Sequence, residues 1–318
     1  MAGFGKVLAV GFALMCLLGS FGGGNMFQAN QAHAMLTYAF DVPSEYGMIT
    51  GLVLAALVFS VIVGGMPSIA SVTEKVVPWM AVLYVGMAIV VIVANIDMVG
   101  PAFGAIFDGA FTGAGVAGGV IGALIQGLKR ATFSNEAGIG SAAIAHSAVK
   151  TKEPITEGLV SLLEPFIDTV VICTMTALVI TIAGLNVAPF PGEGLTGVQL
   201  TAASFESTST VFKYLLALAV IMFAFSTMIS WSYYGLKAWT YLFGEGKSIE
   251  LVFKVIFCCF VVLGATIQFG AVIDFSDAAI FAMSIFNIAG LYFLMPIVKK
   301  ELISFIARVY SGEIKRFD

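Results

Sequence analysis

Between Lys6 and Asp41 the chain carries no Asp, Glu, Lys or Arg, and the same holds between Glu45 and Glu74 and between Lys75 and Asp97. A hydrocarbon core about 30 Å thick takes roughly 20 helical residues to cross, so runs of this length are long enough to span a bilayer. Lipid offers the backbone no partners, which leaves helices and closed barrels as the only spanning structures. A barrel would show alternating segments of about ten residues, and these runs are continuous and longer. The rest of the composition agrees. Of 318 residues, 59% are hydrophobic and 11% charged, against about 25% charged in a soluble domain. The net charge of −4 lacks the basic surface that nucleic acid requires. Cys16, Cys173, Cys258 and Cys259 all fall inside apolar runs, where they read as small hydrophobes rather than a disulfide framework.

The sequence predicts an all-α polytopic membrane protein with eight spans: 5–37, 48–66, 76–98, 116–146, 157–185, 211–241, 249–270 and 276–298. The fourth, fifth and sixth are too long for one straight crossing and must tilt, break or project. Of fifteen basic residues, twelve (Lys6, Lys75, Lys150, Lys152, Lys237, Lys247, Lys254, Lys299, Lys300, Arg308, Lys315 and Arg316) fall on one side of this arrangement. The opposite loops, 38–47, 99–115, 186–210 and 271–275, carry Asp41, Glu45, Asp108, Glu193, Glu206 and Asp274 but no Lys or Arg. Lys213 alone lies on the wrong side, and Lys129 and Arg130 are intramembrane. The positive-inside rule therefore puts both termini of this chain in the cytoplasm, in a multi-pass protein of the cell membrane. Residues 1–298 form the transmembrane domain. The stretch 299–318 alternates apolar and basic residues and fits either an amphipathic cytoplasmic helix along the interface or a solvated tail.

Polar side chains at membrane depth are costly, which makes three clusters candidates for function. In the first span, Gly22, Gly23 and Gly24 precede Asn25 and Gln28, which share a helical face. These two amides suit either the wall of a polar cavity or hydrogen-bond glue between helices. The fourth span has apolar ends around a polar, glycine-containing centre near 132–140. Such discontinuous helices leave backbone groups unpaired, which is tolerable around a ligand cavity. A half-helix starting near Gly138 would aim its positive end at an anionic group such as a carboxylate. Lys129 or Arg130 has a candidate counter-charge in Asp168 of the fifth span. The third cluster, Ser226, Thr227, Ser230 and Ser232 beside Trp231, Tyr233 and Tyr234, offers oxygen ligands. Ser226 and Thr227 suit a monovalent cation such as Na⁺, against the plain alternative that each hydroxyl bonds back to its own helix.

His33 and His146 have no carboxylate or cysteine at metal spacing and read as packed or interfacial residues. No zinc-hydrolase, nucleophile-elbow or P-loop pattern occurs, so no catalytic residue is assigned and an enzyme is not expected.

The segment Lys129-Arg130-Ala131-Thr132-Phe133-Ser134-Asn135-Glu136-Ala137-Gly138-Ile139-Gly140-Ser141 closely resembles the alanine or glycine:cation symporter family. The likeness continues at Asp168-Thr169, Cys173-Thr174, Thr176-Ala177-Leu178-Val179-Ile180, Phe225-Ser226-Thr227 and Trp231-Ser232-Tyr233-Tyr234-Gly235, and upstream at Gly24-Asn25-Met26-Phe27-Gln28-Ala29-Asn30. The resemblance implies a leucine-transporter-type fold of inverted repeats and symport of a small neutral amino acid, alanine or glycine, with Na⁺ or H⁺. Phe133, Gly138, Ile139 and Trp231 would then line the substrate pocket, with Ser134, Asn25 and Gln28 completing the candidate set. Ser226 and Thr227 would ligate the coupling Na⁺, and no other cofactor is implied. The family's Gly-Thr-Gly-Asn-Ile-Ala-Gly first helix and its Gly-Gly-Pro-Gly second-helix entry do not occur here. The expectation is thus an incomplete N-terminus, holding the third to tenth core helices. The alternative is a truncated, non-transporting remnant or split subunit that needs a partner supplying the first helices. The other partners expected are the amino acid, Na⁺ and the lipid bilayer, with no nucleic acid.

Overall fold

The three charge-free runs all fold as helix, as backbone deprived of water partners must. The structure, a computed structural model, describes residues 3–112, 119–186 and 192–314. In chain order its helices are α1 (Phe4–Phe40), α2 (Ser44–Ile62), α3 (Gly65–Ala94), α4 (Val99–Thr112), α5 (Gly119–Asn135), α6 (Ser141–His146), α7 (Pro154–Asn186), α8 (Val198–Glu206), α9 (Thr210–Phe243), α10 (Lys247–Thr266) and α11 (Phe269–Tyr310). Among the described residues there is no strand. Seven helices, α1, α2, α3, α7, α9, α10 and α11, are long and apolar enough to cross a membrane. The chain is a multi-pass membrane protein.

The eighth expected crossing, 116–146, is the divided one. It consists of the 17-residue α5 and the six-residue α6, separated by non-helical residues 136–140. Gly138 (φ +80°) and Gly140 (φ +99°) take left-handed backbone there, and Glu136 does so without being glycine (φ +57°). The second half-helix therefore begins at Ser141, later than the Gly138 start read from the sequence. Residues 116–118 of that span, 187–191 of an outer loop and the basic pair Lys315 and Arg316 lie outside the described residues.

Two long helices contain a wide turn. In α1, Gly22–Met26 is π-helical, and the Phe27 N–H bonds the carbonyl of Gly22, five residues back. In α7 the same geometry runs over Phe166–Cys173. Such turns insert one residue into the helical register and occur frequently at functional sites. α11 is unbroken for 42 residues, so residues 299–310 continue the helix rather than starting a new element.

The core has two main lobes, with α1 and α9 contributing to both, and a smaller cluster of Ala102, Leu178 and Ile182 between α4 and α7. One lobe joins the first half of α1 to α2, α9, α10 and α11 through Cys16, Leu17, Phe21, Val58, Met228, Phe253, Phe257 and Met283. The other joins the end of α1 to α3, α7, α8 and α9 through Met35, Tyr84, Val91, Val179, Phe205 and Leu216. Outward-facing side chains stay apolar, with Trp79, Ile121 and Ile285 each about 70% exposed (73%, 70% and 69%). A helix that is hydrophobic all round belongs in lipid.

Candidate functional site

Residues 136–140 face α9, and the link is Glu136. Its Oε1 accepts a hydrogen bond from the Trp231 indole N–H at 2.8 Å, and its Oε2 accepts one from the Ser141 hydroxyl at 2.5 Å. The carboxylate thus ties the break to the start of α6 and to α9. Trp231 is 3% exposed. It packs edge-on against Tyr234 (centroids 5.4 Å apart) and lies so close to Gly24 of α1 that a Cβ there would overlap the indole. Close backbone approach requires glycine at this position, and it brings the α1 wide turn against the break.

Phe133, in the last turn of α5, sets its ring edge-on to Phe27 of α1 (5.0 Å, 63°) and against Gly23. The Arg130 guanidinium lies 5.4 Å from the same ring. Asn25, fully buried, donates Nδ2–H to the carbonyl of Phe257 on α10 at 2.7 Å. Its Oδ1 is buried with no hydrogen-bond partner among the described residues. One end of Asn25 is therefore interhelical glue and the other is an unfilled acceptor. Gln28 donates to the carbonyl of Gly23 in its own helix at 3.0 Å. Gly138 presents its carbonyl to the Asn287 amide of α11 (2.9 Å), and Ile139 is fully buried in the first core lobe. Ser134 points away from this group. Its hydroxyl donates to Asp168 Oδ2 of α7 at 2.5 Å, with Cys173 Sγ 3.5 Å away.

Phe133, Trp231, Asn25, Gly138 and Ile139 thus belong to the elements that meet at the break, and Ser134 faces α7. The cation candidates differ from each other. Ser226 donates to the carbonyl of Phe223 in its own helix (3.0 Å) and approaches Met80 Sδ (3.5 Å). Thr227 is half-buried and makes no side-chain hydrogen bond among the described residues; one turn separates it from Trp231 on the same face of α9. No cluster of three or more His, Cys, Asp or Glu side chains suited to a metal ion occurs among the described residues.

Two expectations about charges are corrected. Lys129 and Arg130 pair not with Asp168 but with Asp277 of α11, at 3.4 and 2.5 Å. Asp168 is turned toward Ser134 and Thr169 instead. His146 does have carboxylate neighbours: Nδ1 lies 2.6 Å from Glu157 and Nε2 lies 3.6 Å from Glu164, both on α7. Sequence spacing misses them because the loop 147–153 folds α7 back beside α6. His33 is packed, between Thr50 and the carbonyl of Ser44.

Two ion pairs, Arg308 with Glu153 and Lys213 with Glu206, sit at the ends of long helices. Arg308 makes a two-pronged contact with Glu153 (2.7 Å each), which holds that carboxyl below its ordinary range through the hydrogen bonds. Glu206 is partly buried, which raises its pKa. Hydrogen bonds from Tyr38 and Lys213, with the lysine charge, outweigh that and leave it lowered.

The profile of the sodium:alanine symporter family matches residues 2–318. The chain is 42% identical over 305 residues to the sodium/alanine symporter AgcS of Methanococcus maripaludis, covering 95% of this chain and 66% of that protein. It is 32% identical over 304 residues to the probable sodium/glutamine symporter GlnT of Bacillus subtilis (95% and 62%). It is 32% identical over 244 residues to the sodium/proton-dependent alanine carrier protein of Bacillus sp. strain PS3 (71% and 54%). The chain spans just under two thirds of the length of the first of these relatives.

Proposed function

The chain belongs to the sodium:alanine symporter family, and from that premise we propose that it acts in cation-coupled symport of a small neutral amino acid, alanine or glycine, with Na⁺ as the coupling ion. Transport, not catalysis, is the business of the family. The observation that carries the reading is the break at 136–140. Non-helical backbone inside a membrane crossing is tolerated only against protein or around a cavity, and this one is roofed by Trp231, itself packed against Gly24 of the wide turn.

In this reading Phe133, Gly138, Ile139 and Trp231 bound the amino-acid side, with Asn25 and Gln28 supplying polar contacts, while Ser134, bonded to Asp168, drops out of the set. Two large rings leave little room, which favours alanine or glycine over leucine. Thr227, whose hydroxyl has no other partner among the described residues, is the better placed of the two cation ligands. Ser226 joins it after giving up its bond to Phe223. The basic residues of the loops support a reading with both termini of this chain in the cytoplasm of a cell-membrane protein.

The test is alanine binding to the purified chain with and without Na⁺. Binding that requires Na⁺, weakens in Thr227→Ala and widens toward larger amino acids in Trp231→Ala supports the reading. Unchanged selectivity in Trp231→Ala removes that residue from the site.

A further inference from the structure

Glu136 has the surroundings of a carboxylate that changes charge. It lies in a membrane crossing, and no Lys or Arg forms an ion pair with it among the described residues; both nearby cations of α5 are committed to Asp277. The groups that face it are Cys16 from α1, Trp231 and Tyr234 from α9, Ser141 from α6, and Glu164 and Asp168 from α7, with the neutral Asn287 of α11 beside Gly140. All of these are neutral or acidic. An ionised carboxylate at membrane depth calls for a cationic partner, and no Lys or Arg among the described residues supplies one.

We infer that Glu136 is a proton-binding site, loaded from the inner end of the bundle, whose protonation resets the contact between the helix break and Trp231. The two hydrogen-bond partners suit both charge states. A tryptophan N–H only donates, so it continues to donate to Oε1 whether or not the acid is charged. A serine hydroxyl donates or accepts. When Oε2 takes up a proton, the Ser141 O–H turns round and accepts from it, and the proton has a bond waiting. No other bond forms or breaks in this step: carboxylate plus proton gives carboxylic acid.

A route leads outward through titratable groups. Ser141, which bonds Glu136, opens the short helix α6 that ends at His146, and Glu164 of α7 lies beside that histidine. It lies 3.6 Å from His146 Nε2, and His146 Nδ1 is 2.6 Å from Glu157. His146 and Glu157 line an open cavity of about 520 Å³ together with Ser147, Thr151 and Pro154. Chains of Glu and His at membrane depth are the usual way to move a proton.

That the proton participates in symport rests on the proposed function; the proton site itself does not. The experiment uses Trp231 as a reporter, in the full chain carrying Trp79→Phe and Trp239→Phe. Its emission should shift reversibly with pH across the range in which the protein stays folded. In Glu136→Gln, where the amide mimics the protonated acid, the shift should be lost and the low-pH spectrum should persist. On protein that keeps Glu136, difference infrared spectra should show a carboxylic-acid C=O band appearing on acidification, which covers the case in which the glutamine variant does not fold. Emission that ignores pH, a titration that survives in Glu136→Gln, or a shift produced by Na⁺ at constant pH in place of protons would each overturn the inference. Alanine added to the same samples reports separately on symport: a titrating protein blind to alanine upholds the proton site and sinks the transport reading.

Discussion

Gly24 and Trp231 define each other. The indole fills the space a side chain at position 24 would need, so Gly24→Ala forces overpacking against a rigid ring. Overpacking of this kind costs about 1–3 kcal/mol. The thermal midpoint in detergent should fall by several degrees, whereas Gly86→Ala, with nothing within 4 Å of its Cβ, should leave it unchanged. Trp231→Phe keeps most of the packing and removes the N–H that Glu136 accepts. Deleting a hydrogen bond to a charged group is worth about 1.5–3 kcal/mol, a loss that chemical unfolding of the variant would register. The sequence made Trp231 and Asn25 legible as candidates, because polar or amphipathic side chains stand out in apolar runs. Glu136 is quoted in the same motif yet escaped selection. Its partner lies 95 residues away on another helix, and nothing in local spacing points across that distance.

At the scale of helices, the charges act as fasteners. Asp277 binds Lys129 and Arg130 together, so Asp277→Ala strands two cations where α5 meets α11. Breaking a fully buried pair costs about 3–5 kcal/mol; here both cations keep some exposure (37% and 43% of their side chains), so about 1–3 kcal/mol is expected. Charge-reversed Arg130→Asp combined with Asp277→Arg should recover part of it, as a double-mutant cycle would show. Arg308 and Glu153 fasten the end of α11 to the start of α7. The Glu153 carboxyl is lowered when folded, so its contribution is present above the ordinary carboxylate range and disappears as pH falls through the folded value. Thermal midpoints of the parent protein and Arg308→Gln should therefore differ at neutral pH and converge in acid. The divided crossing was legible because glycines and polar residues gather at 132–140. The Asp277 partnership was not, since carboxylates on α7 offered equally good counter-charges until the helices were placed.

For the molecule as a whole, the asymmetry of basic residues predicts an orientation that labelling can check. Cysteines introduced at Ser44 and Thr196 should react with an impermeant maleimide on intact cells, and one at Thr151 should not; labelling at 151 alone would reverse the topology. The helical class follows from charge-free runs that only helices can carry through lipid, whereas of eight expected crossings seven are long helices and 116–146 is divided. The 42-residue reach of α11 does not follow from those runs, because Lys299 and Lys300 mark a membrane boundary without stopping a helix. The wide turn in α1 has a consequence for evolution by insertion and deletion. An α-helix advances about 100° per residue, so one extra residue at Gly22–Met26 rotates everything beyond it by that angle. Residues on both sides of the turn, Cys16 and Leu17 before it and Ala29 and Ala32 after it, pack into the first lobe, and Met35 and Ala39 farther along reach the second. Dropping a single one of the three glycines can be absorbed there, the wide turn closing to an ordinary α-turn while the helix on either side keeps its neighbours.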